Sequence, residues 1–178
     1  PALAGLAGGI GDRQVRNQGT LGGSLANSDP GADYPAAVLG LGATVVTNKR
    51  EIPADKFFVG LFETALKPGE IILRVDFPQA LRTGYAKFRQ PASRFALVGV
   101  FVADTTSGVR VAVTGAGPCA FRMKRMEKAL AKDFTPKAIE KILLPADGLN
   151  ADLHADADYR AHLVTVMAQR AVEEAARI

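Results

Sequence analysis

The chain has 178 residues, 48% of them hydrophobic and 22% charged, with a formal net charge of +4. Such a chain builds a true core, in one large or two small domains, and bulk disorder is excluded. The charges are scattered, Trp is absent and no basic stripe alternates with aromatics, which favours a solvated surface over a nucleic-acid footprint. Cys119 is the only cysteine, so an internal disulfide and a cysteine-ligated cluster are excluded, and a reducing cytoplasmic location is expected. No apolar run has the length of a membrane span, and no signal peptide is read before Pro1.

In chain order, residues 2–10 read as the end of an Ala/Leu-rich helix closed by glycines. Residues 14–33 read as loop with short extended segments. Pro35 to Gly40 suits a short helix with proline in its first turn, and Ala43 to Thr47 is a β-branched strand that turns through Asn48-Lys49-Arg50 into Glu51-Ile52-Pro53. Asp55 is placed to cap a short helix through Phe62, and a strand from Glu70 to Phe77 follows the Pro68-Gly69 turn. Beyond Gln79 the character changes. Residues 83–90 read as a strand; Ala96 to Ala103 reads as a strand buried on both faces or as a helix segment; a hairpin loop at 105–108 leads into Val109 to Val113. Three helices are expected next: Arg122 to Lys132; one opened by Thr135-Pro136 with Ile139, Ile142 and Leu143 inside; and one capped by Asp156 or Asp158, with Tyr159, Leu163, Val166, Met167 and Arg170 at helical spacing. The fold class is α+β, divided into residues 1–79 and 80–178, with a hinge near 79–83 and an antiparallel pairing of 97–103 with 109–113.

The chemistry concentrates in Arg16-Asn17-Gln18-Gly19-Thr20-Leu21-Gly22-Gly23-Ser24-Leu25-Ala26-Asn27 and, just after it, Asp29-Pro30-Gly31-Ala32-Asp33. Gly22-Gly23-Ser24 offers consecutive backbone N–H groups beside a hydroxyl, a concavity suited to phosphate oxygens, and Asp33 can accept hydrogen bonds from a sugar or polyol. The same composition also describes a plain turn. It is neither a Rossmann fingerprint nor a P-loop.

The order of these residues resembles the flavoprotein (medium) subunit of molybdenum hydroxylases, the family of the carbon monoxide dehydrogenase medium chain and the xanthine dehydrogenase FAD domain. The resemblance runs from Gln14 to Pro30 and through Phe57-Phe58-Val59-Gly60, Thr64-Ala65-Leu66, Gly69-Glu70-Ile71-Ile72 and Tyr85-Ala86-Lys87-Phe88. It returns in Asp152-Leu153-His154-Ala155, Tyr159-Arg160 and Gln169-Arg170-Ala171. It implies the second lobe of a two-lobed FAD-binding domain at 1–79, followed by a C-terminal α+β sandwich at 80–178. It also implies FAD as cofactor, with Thr20, Gly22, Gly23 and Ser24 against the diphosphate and Asn27 and Asp33 on phosphates or hydroxyls. Ile72 would pack on the cofactor and Lys87 would approach the flavin. Ile72 reads equally as a core strand position, and Lys87 also reads as a solvated lysine.

By the same resemblance, the partners are a large subunit with a molybdenum cofactor and a small subunit with two [2Fe–2S] clusters. This chain's FAD collects their electrons for an external acceptor. Family members carry an earlier half-domain that binds the other side of the FAD diphosphate, so this chain alone is expected to hold FAD weakly or not at all and to pair as a homodimer. Two alternatives are a structural or docking fragment that binds no FAD, and a flavoenzyme of the UDP-N-acetylenolpyruvylglucosamine reductase type. The tail from Asp152 to Ala171 argues against the latter.

Other candidate groups read as structural. Arg16 forks onto carbonyls or Asp29. The acids at Asp152, Asp156 and Asp158 lack the pattern of a calcium loop or a zinc site and suit helix capping. Arg122, Lys124, Arg125 and Lys128, interrupted by Glu127, form a solvated helix face or a docking site for an acidic partner. His154 and His162 adjoin no nucleophile motif.

Overall fold

The computed structural model describes residues 2–177. Four short helices open the chain: α1 (Ala2–Gly8), α2 (Arg13–Gln18), α3 (Leu21–Asn27) and α4 (Tyr34–Leu41). Helices α2 and α3 correct the expectation of a loop over 14–33. Asp12 Oδ1 accepts a hydrogen bond from Val15 N at 2.9 Å, and Thr20 Oγ1 accepts one from Gly23 N at 3.0 Å. Each cap satisfies an amide that a helix start leaves orphaned, so glycine-rich sequence becomes helix.

A three-stranded antiparallel sheet follows, ordered β2–β1–β5 and built from β1 (Thr44–Thr47), β2 (Glu51–Pro53) and β5 (Ile72–Asp76). Between β2 and β5 the expected helix from Asp55 to Phe62 is a single 3₁₀ turn at Ala54–Lys56. The chain then enters a small hairpin of β3 (Phe58–Gly60) and β4 (Glu63–Thr64). Asp55 caps nothing. It reaches instead toward Arg110 and Arg122, which lie 2.9 and 3.0 Å from its carboxylate oxygens.

The second sheet is ordered β6–β7–β8–β9 and antiparallel throughout: β6 (Ala80–Arg89), β7 (Ala96–Thr105), β8 (Gly108–Thr114) and β9 (Phe121–Arg122). The β7–β8 register pairs Gly99 with Thr114 and Thr105 with Gly108, so 97–103 and 109–113 are antiparallel neighbours as expected. The uniform apolarity of β7 has a simple cause. Val98, Val100 and Val102 face α6 (Ala157–Ala175), whose Leu163, Val164, Met167 and Val172 close the core, while Phe101 and Ala103 face α1 and α4 through Leu6, Ala36, Ala37 and Leu41. Helix α5 (Lys124–Leu130) adds Met126 and Leu130. Arg122 lies on β9, not on a helix; it pairs with Glu127 and Asp55, so it is not part of a free basic face. The second of the three expected helices is one 3₁₀ turn, Pro136–Ile139, with Ile139 buried and Leu143 exposed. Asp156, not Asp158, caps α6, accepting from Tyr159 N at 2.7 Å.

Strand β5 ends at Asp76 and β6 begins at Ala80, in different sheets. The two parts nevertheless share packing, since Ala112 and Ala120 sit in one apolar cluster with Leu25, Val45 and Phe57.

Two tests of this packing follow from single residues. A Cβ at Gly84 would overlap the Ala171 carbonyl oxygen and stand 2.8 Å from Ala175 N, both α6 backbone atoms that cannot step aside. Gly84→Ala is therefore expected to destabilise the fold by roughly 1–3 kcal/mol, read by chemical denaturation. The second residue is Glu70. Its buried carboxylate accepts from Arg50, Lys67 N and Thr47, which holds its pKa down to about 2. A folded-state pKa below the ordinary carboxylate value contributes stability above that value and loses it as pH falls toward 2. Thermal melts of the native chain should weaken steeply across that acid range, and Glu70→Gln should flatten the dependence.

Candidate functional site

An open cleft of about 1040 Å³ lies where the first helices meet the ends of β7 and β8. One wall comes from α2 and α3, with Arg16, Thr20, Gly23, Ser24 and Asn27. The floor is the 29–34 loop, and the far wall holds Phe95, Ala96, Gly115, Asn150 and Asp152. The floor is stitched down at several points. Thr114 Oγ1 donates to Pro30 O at 2.9 Å and to Ala32 O at 2.7 Å, Gly115 N donates to Pro30 O, and Ala96 N donates to Gly31 O. The loop from Asp29 to Asp33 is thereby fixed to the second sheet.

The far wall is held equally firmly. Arg160, 2% exposed, donates through Nη1 to Leu97 O and Gly115 O and through Nη2 to Asp152. Asn150 Nδ2 donates to Gly115 O and Gly117 O. Asp152 Oδ1 also accepts from His154 N and Ala155 N; with the Arg160 guanidinium these bonds outweigh desolvation and hold its carboxyl below the usual range. The Asp152 segment thus closes a turn and fixes an arginine, and no group of three potential metal ligands occurs among the described residues.

Of the eight residues singled out in the sequence, Thr20, Gly23, Ser24, Asn27 and Asp33 border this one cleft. Gly22, Ile72 and Lys87 do not. Gly22 lies behind the wall, where a Cβ would touch only the Ile72 Cβ at 4.0 Å, and Ile72 packs on the apolar cluster around Leu25 and Val45. Lys87 is neither solvated nor open to the cleft. Its side chain is 4% exposed, and its Nζ stands 2.8 Å from Asp33 Oδ1. Tyr85 Oη donates to the same oxygen at 2.5 Å. Burial pushes the Asp33 carboxyl above the usual carboxylate range, against the pull of Lys87, Tyr85 and Arg89. Burial and the Asp33 charge push the Tyr85 hydroxyl well above its ordinary value. This pairing across the fold went unread because Asp33 and Lys87 are joined by no local pattern. Arg16 does what was expected of it, donating from Nη1 to Ile10 O at 2.8 Å.

The cleft's chemistry has three parts. Neutral side-chain donors lie along α3: the Ser24 hydroxyl near its start and the Asn27 amide at its end. Gly23 N is not among them, being spent on Thr20. Carboxylates at Asp29, Asp33 and Asp152 accept from hydroxyls, and Ile10, Val15 and Phe95 supply apolar surface for a ring. The volume exceeds that of most small-ligand pockets. An elongated ligand with an anionic middle, polyol segments and a flat aromatic end fits these donors, and FAD is such a ligand.

Fold and cleft therefore suit a domain that takes an elongated, partly anionic ligand. Family models match along nearly the whole chain: the FAD binding domain in molybdopterin dehydrogenase over residues 1–80, and the CO dehydrogenase flavoprotein C-terminal domain over residues 84–175. The carbon monoxide dehydrogenase medium chain of Hydrogenophaga pseudoflava is 33% identical, over 98% of this chain and 67% of its own length. The nicotine 6-hydroxylase medium subunit of Paenarthrobacter nicotinovorans is 34% identical, over 98% of this chain and 67% of its own. In structure, a carbon monoxide dehydrogenase from Hydrogenophaga pseudoflava that lacks the Mo-pyranopterin moiety superimposes with a TM-score of 0.85 at 34% identity, covering 99% of this chain and 67% of that one. The chain belongs to the FAD-binding medium-subunit family of the molybdenum hydroxylases. It spans about two thirds of the length of these relatives. No helix among the described residues is long and apolar enough to cross a membrane.

The α3 start can be tested without any ligand. A Cβ at Gly23 would come 2.9 Å from Thr20 Oγ1 and displace the cap, whereas the Gly22 position has room. Gly22→Ala should raise stability by up to about 1 kcal/mol through helix propensity. Gly23→Ala should forfeit most of that gain, because a lost cap costs about 1 kcal/mol. Paired denaturation curves of the two variants give the difference.

Proposed function

We propose that this chain is the FAD-carrying electron-transfer subunit of a molybdenum hydroxylase. Its partners are a large subunit with the molybdenum cofactor and a small subunit with two [2Fe–2S] clusters, the external acceptor lies outside the chain, and the assembly works in the cytoplasm. Residues 1–79 act as the second lobe of the FAD-binding domain and residues 80–178 as the C-terminal domain. The observation behind the reading is the meeting of Thr20, Gly23, Ser24, Asn27 and Asp33 in one cleft with a wall that includes Phe95. Bound there, FAD would supply the exchange between single-electron and two-electron chemistry.

The chain's own residues bind and orient. The Ser24 hydroxyl and the Asn27 amide would hold the diphosphate, with Thr20 and Gly23 shaping that turn through their cap. Ile72, packed on the apolar cluster that holds Leu25, acts by supporting the α3 wall from behind, with Gly22 beside it. Asp33 would accept from a hydroxyl of the cofactor, and Lys87 acts through Asp33.

The decisive experiment is FAD retention by the assembled complex. Replacing Ser24 and Asn27 together by alanine should weaken retention about 100-fold, since two hydrogen bonds to charged oxygens are worth about 1.5 kcal/mol each. Substituting the exposed Leu143 by alanine should change nothing. The isolated chain should hold FAD more weakly than the complex and pair as a homodimer. Full flavin content in the double variant would overturn the assignment of the cleft, and an assembly that takes up no FAD would leave a docking subunit.

A further inference from the structure

A second, smaller cavity of about 240 Å³ lies on the other side of the glycine-rich end of α1. Gly5 and Leu6 of α1, with Gly9 just after it, border this cavity, while Ala7, Gly8 and Ile10 border the cofactor cleft. Its remaining wall is polar: Tyr85, Lys87 and Arg89, alternate residues on one face of β6, together with Glu174 of α6. The space between the two cavities is otherwise apolar, with Leu6, Ala36, Ala37 and Phe101 fully or nearly fully buried. The exception is Asp33. Asp33 borders the cleft, and its buried carboxylate meets Tyr85 and Lys87, which border the second cavity. Both neighbours meet Oδ1, so Oδ2 takes neither. The buried Lys87 Nζ has this ion-pair contact and no hydrogen-bond acceptor among the described residues.

We infer that Tyr85 and Asp33, with Lys87 as counter-charge, form a proton path from the second cavity to the cofactor cleft. The inference rests on the FAD reading given above. Full reduction of a flavin by two electrons takes up two protons. The electrons arrive singly from the iron–sulfur clusters of the partner subunit and bring no proton with them, so the protons come from water. Tyr85 Oη passes its proton to Asp33 Oδ1 as it takes up another from a hydronium ion that enters the second cavity from bulk solvent, so one O–H bond breaks as its replacement forms and water is the only by-product. Asp33, now a neutral acid, releases a proton into the cleft and returns to the carboxylate. Lys87 stabilises that carboxylate between transfers. The charged groups facing Asp33 are Lys87 and Arg89 from β6, while Glu174 from α6 faces the cavity mouth. Burial raises the Asp33 carboxyl above the ordinary range, against the pull of Lys87, Tyr85 and Arg89.

A purely structural pair makes a different forecast. A buried ion pair is a poor source of stability beside apolar packing, and nothing in that role needs a tyrosine proton or a cavity behind it. The test uses Tyr85→Phe in the assembled complex, which removes only the hydroxyl. Thermal melting and FAD content serve as controls, and photochemical one-electron reduction is followed in light and heavy water with a pH indicator. The expected result is unchanged flavin content, flavin reduction and proton uptake slowed at least tenfold, and loss of the pH dependence of the rate. A second readout needs no flavin. Infrared titration of the FAD-free chain with labelled aspartate should show an Asp33 carboxylic acid band that shifts in Tyr85→Phe. Wild-type reduction and uptake rates in a fully loaded Tyr85→Phe complex would overturn the path. Absence of FAD from the wild-type complex would overturn the FAD reading first, and the infrared band would still report whether Asp33 and Tyr85 share a proton.

Discussion

Helix α4 is buried from Pro35 to Leu41, an apolar rod enclosed on all sides. A helix hydrophobic all round can exist only in the middle of a protein. Here the small residues Ala36, Ala37 and Gly40 let it lie flat on β7, so close that a Cβ at Gly40 would stand 2.8 Å from Phe101. Both polar ends of such a helix need partners, because an unpaired buried group is costly. At the N-terminal end Asp33 turns its side chain away from capping and onto Lys87 and Tyr85. At the C-terminal end Arg110 Nη2 donates to Leu39 O at 2.8 Å. All three partners come from the second sheet. The enclosed helix therefore locks the first part of the chain onto the second and aims the 29–33 loop into the cleft.

The parts of the fold legible in the sequence are those whose cause is local. Strands at Thr44–Thr47, Ala96–Thr105 and Gly108–Thr114 are β-branched and bounded by turn residues, and α6 has a cap and a long apolar period. The capped helices at 13–27 were also local, but glycine content outweighed Asp12 and Thr20, each placed three residues before the amide it satisfies. Asp55 shows the opposite limit. Its acid looked like a helix cap, and long-range pairing with Arg110 and Arg122 claimed it instead. Of the cleft, the donors were legible because they share one stretch. The far wall was not, since Phe95, Asn150 and Asp152 reach it only through the folding of the second sheet.

Electrostatics narrows what the cleft can do. Its borders include three carboxylates, and the nearby cations are committed elsewhere: Arg16 to Ile10 O, Arg160 to two carbonyls and Asp152, Lys87 to Asp33. Arg16 is the one cation among the lining residues; its Nη1 is held by backbone carbonyls and no acid pairs with it among the described residues. A diphosphate would then meet one guanidinium and a few oriented neutral donors, the Ser24 hydroxyl and the Asn27 amide among them, rather than a cluster of cations. Point charges give long-range steering; amides and hydroxyls give short-range geometry.

The same accounting explains why Arg160 is buried. Its Nε has no acceptor, so the residue accepts a desolvation cost that an apolar side chain would avoid. In return its Nη atoms bind the start of β7, the end of β8 and the 150–155 segment at one point. Those three pieces form the cleft wall opposite α3. The α3 wall is set by a cap within one short helix, and the opposite wall by one guanidinium between three segments. A flat ring and a flexible diphosphate bind together only if these walls keep their separation. The two ends of α4 and the fork of Arg160 are the constraints that fix it, each independent of any ligand.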